Sequence, residues 1–130
     1  MSESPVAVLV VDDQSPFRAA ARSVVRATPG FEVVGEATSG EEAVEQVEAL
    51  HPDLVLMDIN MEGIGGIEAT RRIVAAHPEV GVVLLSTYDA EDLPADASTC
   101  GATAYVHKEQ FGPDVLESLR PSVLDDGGLA

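Results

Sequence analysis

VAVLVVDD (6–13) sets six apolar residues directly against two aspartates. A run of Val, Leu and Ala with no polar alternation is how a strand covered on both faces reads. Asp12 and Asp13 then stand where that strand leaves the core. Two like charges about 4 Å apart repel by roughly 4 kcal/mol at an effective dielectric near 20. The pair therefore needs water, or a cation, at the strand's carboxyl end.

Four further runs extend the pattern: FEVVGEA (31–37), DLVLMD (53–58), VGVVLLS (80–86) and TAYVHK (103–108). The second is more mixed and suits a less buried edge. Helical patterns lie between them. Ser15 followed by Pro16 reads as an N-cap with Pro at the first helical position, opening a helix that runs to about Ala27 and stops at TPG. Ser39 with Glu42 three residues on is a capping-box pattern, and Ala43, Val47 and Leu50 follow at helical spacing until Pro52. GIEATRRIVAAHPE (66–79) is a third helix, stopped by Pro78. AEDLPADASTCGA (90–102) is a weaker fourth, because Pro94 allows only a helix beginning near it, and GPDVLESLRPS (112–122) is a short fifth. The order βαβαβαβαβα predicts an α/β fold, a doubly wound parallel sheet of five strands in the order 2-1-3-4-5. One domain spans 1–130, with its core at about 5–121 and a frayed tail or linker start at 122–130.

Composition narrows the function. The chain has 130 residues, 45% of them hydrophobic, which suits one globular domain with a real core. Its net charge of −16 disfavours nucleic acid and anionic membrane surfaces, and suits a cation or a basic partner patch. Cys100 is the single cysteine, so no intrachain disulfide forms, and a reducing cytoplasm fits. It reads as a buried small apolar residue. The N-terminus is a poor signal peptide, and no run approaches the roughly 18 apolar residues that span a membrane.

In an open sheet of this order, sites form at the carboxyl ends of the strands, between strands 1 and 3. Strand 1 ends in Asp12 and Asp13, strand 3 in Asp58, strand 4 in Ser86 and Thr87, and strand 5 in Lys108. Three carboxylates at one rim force a raised pKa or a bound cation, and hard oxygen ligands suit Mg2+. A carboxylate is a competent nucleophile toward phosphorus, and a cation and an ammonium stabilise charge developing on the transferred oxygens. The rim reads as a phosphoryl-accepting aspartate site.

With VLVVDD, PDLVLMDINMEGIGGIEATRRI, VVLLSTYD and GATAYVHK in place, the chain resembles the receiver domain of bacterial two-component response regulators, over about residues 5 to 121. LLSTYD and GIEATRRI are most similar to the subfamily with helix-turn-helix DNA-binding output. The resemblance implies a flavodoxin-like receiver fold with Asp58 as phosphoacceptor. It implies Asp12, Asp13, Asp58 and the backbone carbonyl of Asn60 as Mg2+ ligands, Ser86 as the switch hydroxyl, Lys108 as its partner lysine, and Tyr105 as the switching aromatic. It further implies a cytoplasmic protein that takes its phosphoryl group from a sensor histidine kinase or phosphotransfer protein. Its activity is confined to self-catalysed transfer and slow autodephosphorylation. The surface of the fourth helix, fifth strand and fifth helix would switch, toward an effector or a second copy, with no nucleic-acid contact by this domain itself. Transcription regulation follows if the chain is part of a longer one. Two positions depart from the family pattern, Glu62 and Glu109, each standing where Pro is common.

Other signals are weaker. GIGG (63–66) lacks the third glycine of a dinucleotide loop, since position 68 is Glu68, and reads as a flexible loop before the third helix. His51, His77 and His107 have no metal-ligand spacing; His51 and His77 each precede a Pro, where they suit a helix C-terminus. Two rival functions share this fold: a phosphorylation-independent interaction module, and a flavin binder, which the acidic rim disfavours.

Overall fold

The computed structural model describes residues 5–88 and 93–119. Five strands, β1 (Val6–Val11), β2 (Phe31–Ala37), β3 (Leu54–Asp58), β4 (Gly81–Ser86) and β5 (Ala104–His107), form one sheet in the order β2-β1-β3-β4-β5. All four pairings are parallel. The order expected from the strand–helix alternation is the one observed.

Both faces of the sheet are covered, which explains the unbroken apolar runs. Leu9, Val11, Val55, Met57, Val82 and Leu84 point to one face, against Ala43 and Val47 of α2 (Gly40–Leu50) and Ala69 and Ile73 of α3 (Gly65–Ala76). Their neighbours Val8, Val10, Leu54, Leu56, Val83 and Leu85 point to the other face, against Ala21 and Val25 of α1 (Ser15–Ala27) and Leu116 of α4 (Pro113–Ser118). Burying each such Val or Leu contributes about 1.5–3 kcal/mol. Strand β2 is an edge, and its middle residues are only half-buried.

Local chemistry sets the helix ends. Ser39 caps α2 as its sequence suggests: its hydroxyl accepts from the Glu42 amide at 3.0 Å, and Glu42 accepts from the Thr38 amide at 2.7 Å. Helix α1 differs. Its N-cap is Gln14, not Ser15, and no side chain caps it. Asp12 Oδ1 accepts from the Gln14 amide at 2.8 Å, so the turn into the helix is set one residue earlier by the strand's own terminal acid.

The segment expected as a fourth helix holds only a 3-10 turn, Ala95–Ser98, in its described part. Pro94 sits in an extended conformation just before it, and Gly101 has φ +96 just after. Three residues further on β5 begins. The last helix of the sequence reading, 112–122, is α4, and its final residues lie outside the described ones, as do 89–92 and the tail 122–130.

The histidines follow suit. His51 and His77 close α2 and α3 through their backbone amides, at 2.9 Å from the Val47 carbonyl and 2.7 Å from that of Ile73. The His77 ring, however, turns to Glu48 at 2.6 Å and Glu79 at 3.6 Å rather than to a helix end. Glu48 holds its imidazole above the ordinary value. Cys100 is buried, with its thiol 3.5 Å from the Ala97 carbonyl. Among the described residues no helix is long and apolar enough to cross a membrane.

Candidate functional site

Strand β1 ends at Val11 and strand β3 at Asp58, and these strands are neighbours. Their carboxyl ends therefore bring Asp12, Asp13 and Asp58 together. One carboxylate oxygen from each lies within 4.8 Å of the other two. Asp12 is fully buried, Asp58 is 4% exposed, and Asp13 faces solvent.

Lys108 follows β5 as the first residue of a 3-10 turn, Lys108–Gln110. Its Nζ lies 2.7 Å from Asp12 Oδ2 and 3.2 Å from Asp58 Oδ1. One ammonium thus serves two of the three acids. Burial, and then the charge of Asp12, push the Asp58 carboxyl above its ordinary value, while Lys108 and the Asn60 amide pull it back. Burial works to lower Lys108 as well, but its bond to Asp12 and the charges of Asp58 and Asp12 outweigh that and leave it raised.

The direction for Asp58 has a consequence for stability. Its folded pKa lies above the unfolded one, so the group favours folding fully below the unfolded pKa. That contribution is lost as pH rises through the folded pKa. Metal-free protein should lose stability as pH climbs through the Asp58 titration, and Asp58→Asn should remove that part of the slope. Urea midpoints across pH in the presence of a chelator measure it; identical slopes in the two proteins would contradict the assignment.

The remaining expected residues take two positions. Asn60 lines an open cleft of about 340 Å³ together with Asp13, Ile59, Met61 and Glu62. Ser86 and Tyr105 meet on the backbone of Tyr88 instead. Ser86, 1% exposed, accepts the Tyr88 amide at 2.8 Å, and the Tyr105 hydroxyl donates to the Tyr88 carbonyl. Of the two departures, Glu62 is exposed on the cleft. The Glu109 amide donates to His107 Nδ1 at 3.1 Å, a bond proline could not make.

Several contributors had no signal in the sequence. Arg18 donates to the Asp12 backbone carbonyl at 2.9 Å and pairs with Glu36 of β2 at 3.3 Å, where Arg22 joins at 2.8 Å. Glu41 of α2 accepts the Ile64 amide at 3.2 Å, tying down the loop after β3. Gly63 and Gly65 have φ +82 and +78, and a Cβ on Gly66 would lie 2.0 Å from the Asp58 carbonyl oxygen. Only the lack of a Cβ lets α3 start against the end of β3.

Hard oxygen donors on two adjacent strand ends, with one of them open to solvent, fit Mg2+: two buried or nearly buried carboxylates share one ammonium, and a third acid stands at the entrance. A model of the response regulator receiver domain matches residues 8–120. The chain belongs to that family. Relatives include the transcriptional regulatory protein DegU of Brevibacillus brevis, 36% identical over 128 residues, 98% of this chain and 53% of that protein. The response regulator UvrY of Escherichia coli K12 is 39% identical over 113 residues, 87% of this chain and 52% of that protein. A solved LuxR-family two-component response regulator from Aurantimonas sp. SI85-9A1 superposes with TM-score 0.84 at 28% identity, over 93% of this chain and 86% of that one. This receiver domain spans about half the length of the curated relatives it matches.

Proposed function

We propose that this receiver accepts a phosphoryl group from the phosphohistidine of a sensor kinase or phosphotransfer protein onto Asp58. The observation that supports this most is the single ammonium of Lys108 set between Asp12 and Asp58, with Asp13 at the open side. An Asp58 oxygen attacks phosphorus, the P–N bond breaks, and its electron pair returns to the imidazole nitrogen, which takes a proton. Asp12, Asp13 and Asp58, with the Asn60 carbonyl, would hold Mg2+, which when bound supplies positive charge to the transferring oxygens. Lys108 supplies a second positive charge at the same oxygens. Burial of Asp12 and Asp58 excludes water and strengthens both interactions.

The adduct puts a group of about −1.5 to −2 charge in place of the single carboxylate charge of Asp58. Ser86, whose oxygen accepts from the Tyr88 amide, then has phosphoryl oxygens to which its own hydroxyl can donate. Its turning releases the Tyr88 amide, one residue's breadth from the Tyr88 carbonyl to which Tyr105 donates, so the two side chains switch together. The surface so biased runs from the 95–98 turn over β5 to α4, and an effector or a second copy would read it. A role in the control of transcription accords with the transcriptional regulatory protein among its relatives.

Acetyl phosphate with Mg2+ should raise the intact mass by one phosphoryl group, as should a phosphorylated kinase core, and a chelator should prevent both. An unchanged mass under acyl-phosphate-preserving conditions would instead favour a phosphorylation-independent interaction module.

A further inference from the structure

Phe17 is the third residue of α1, and its ring lies against the Lys108 ammonium, with Nζ 4.5 Å from the ring centroid. On its other side it meets Phe111, with centroids 6.5 Å apart and planes tilted by 45°. The Phe111 amide donates to the Lys108 carbonyl at 3.3 Å. One ring therefore touches both the side chain that opens the 3-10 turn and the aromatic that follows it. A lysine ammonium has three donors and no acceptor. Two of its directions go to Asp12 and Asp58, and its side chain is only 15% exposed. The negative face of the ring stands in for the water that burial removes. An aliphatic side chain of similar bulk would cover the ammonium without attracting it.

Lys108 and a divalent cation also compete. Asp12 Oδ2 is committed to Lys108 at 2.7 Å, and Asp12 is one of the three acids that converge. Where a cation must draw Asp12 away from Lys108, whatever stabilises the Lys108 pairing weakens the hold on that cation.

We infer that Phe17 is a positioning residue whose ring face holds Lys108 on Asp12 and Asp58 and so sets how tightly the acidic rim takes a divalent cation. The cation part rests on the proposed reading of the rim; the positioning of Lys108 does not. Calorimetric titration with Mg2+ alone tests the first, on the wild type, Phe17→Leu and Phe17→Tyr, each with Lys108 present and as Lys108→Ala. Phe17→Leu should tighten Mg2+ binding about 2- to 5-fold, the size of a cation–π contact at a partly exposed site. Phe17→Tyr should restore the wild-type value, and in the Lys108→Ala background the Leu effect should vanish. No change, or the same change without Lys108, would overturn the inference.

Metal-free NMR of the Lys108 ammonium supplies the independent arm. Slow proton exchange and a ring-shifted methylene should be present in the wild type and Phe17→Tyr, and lost in Phe17→Leu. A signal indifferent to Phe17→Leu overturns the positioning role. Wild-type protein that takes up no Mg2+ while showing the ring shift would overturn the cation site and leave the positioning role standing.

Discussion

Asp58→Asn is expected to abolish the phosphoryl adduct completely, with a folded protein left behind. The amide keeps the shape of the carboxylate but removes the nucleophile. It also removes a buried charge whose ionisation the fold opposes, so stability at neutral pH should hold or rise. Lys108 keeps Asp12 as its partner, at 2.7 Å, so no buried ammonium is stranded. Intact mass after acetyl phosphate and Mg2+, alongside urea unfolding, reads both effects. An adduct that persists would move the acceptor to another acid of the rim, and peptide mapping would then find it on Asp12 or Asp13.

Gly66→Ala should be the most damaging substitution of a single methyl group. Its Cβ would lie 2.0 Å from the Asp58 carbonyl oxygen and 2.9 Å from the carbonyl carbon. Both are backbone atoms, and the Gly66 amide itself donates to the Ile59 carbonyl at 3.1 Å. Neither α3 nor the end of β3 can move without disturbing the core or the acidic rim. Overpacking of this kind costs about 3 kcal/mol or more where relaxation is blocked. Gly65→Ala is the comparison. There the Cβ meets only the Ile59 oxygen, at 3.9 Å, and the cost is that of a left-handed backbone at φ +78, about 1–2 kcal/mol. Urea midpoints at unchanged m-value separate the two. A Gly66→Ala protein as stable as Gly65→Ala would mean that the start of α3 yields.

These two glycines mark the limit of pattern reading. GIGG is visible as a glycine-rich loop, but which glycine serves a turn and which serves a close approach depends on where β3 ends in space. The same holds for Phe17 and Arg18. As letters they are an apolar residue and a cation on a helix, and only the packing of α1 beside β1 puts one against Lys108 and the other on the Asp12 carbonyl. Helix α1 starts one residue before the place its Ser-Pro pair suggests, because the side chain that sets the turn is Asp12, just past the end of β1. The described part of the fourth helical segment holds only a 3-10 turn, because an extended Pro94 and a left-handed Gly101 bound it on either side.

Strands and their order were legible because burial on both faces leaves an unbroken apolar run, and because parallel strands joined by right-handed crossovers admit few arrangements. The acids at the ends of β1 and β3 and the lysine at the end of β5 followed from that order alone, since a strand end is a position in space once the sheet is known. What the folded molecule decided is everything shorter in range than a strand spacing. It paired Lys108 with Asp12 more closely than with Asp58, raised the Asp58 pKa by burying it beside another acid, and turned Ser86 and Tyr105 onto the amide and the carbonyl of Tyr88. Hydrogen bonds are made or lost over an ångström or so, and no periodicity in a chain of letters carries that distance.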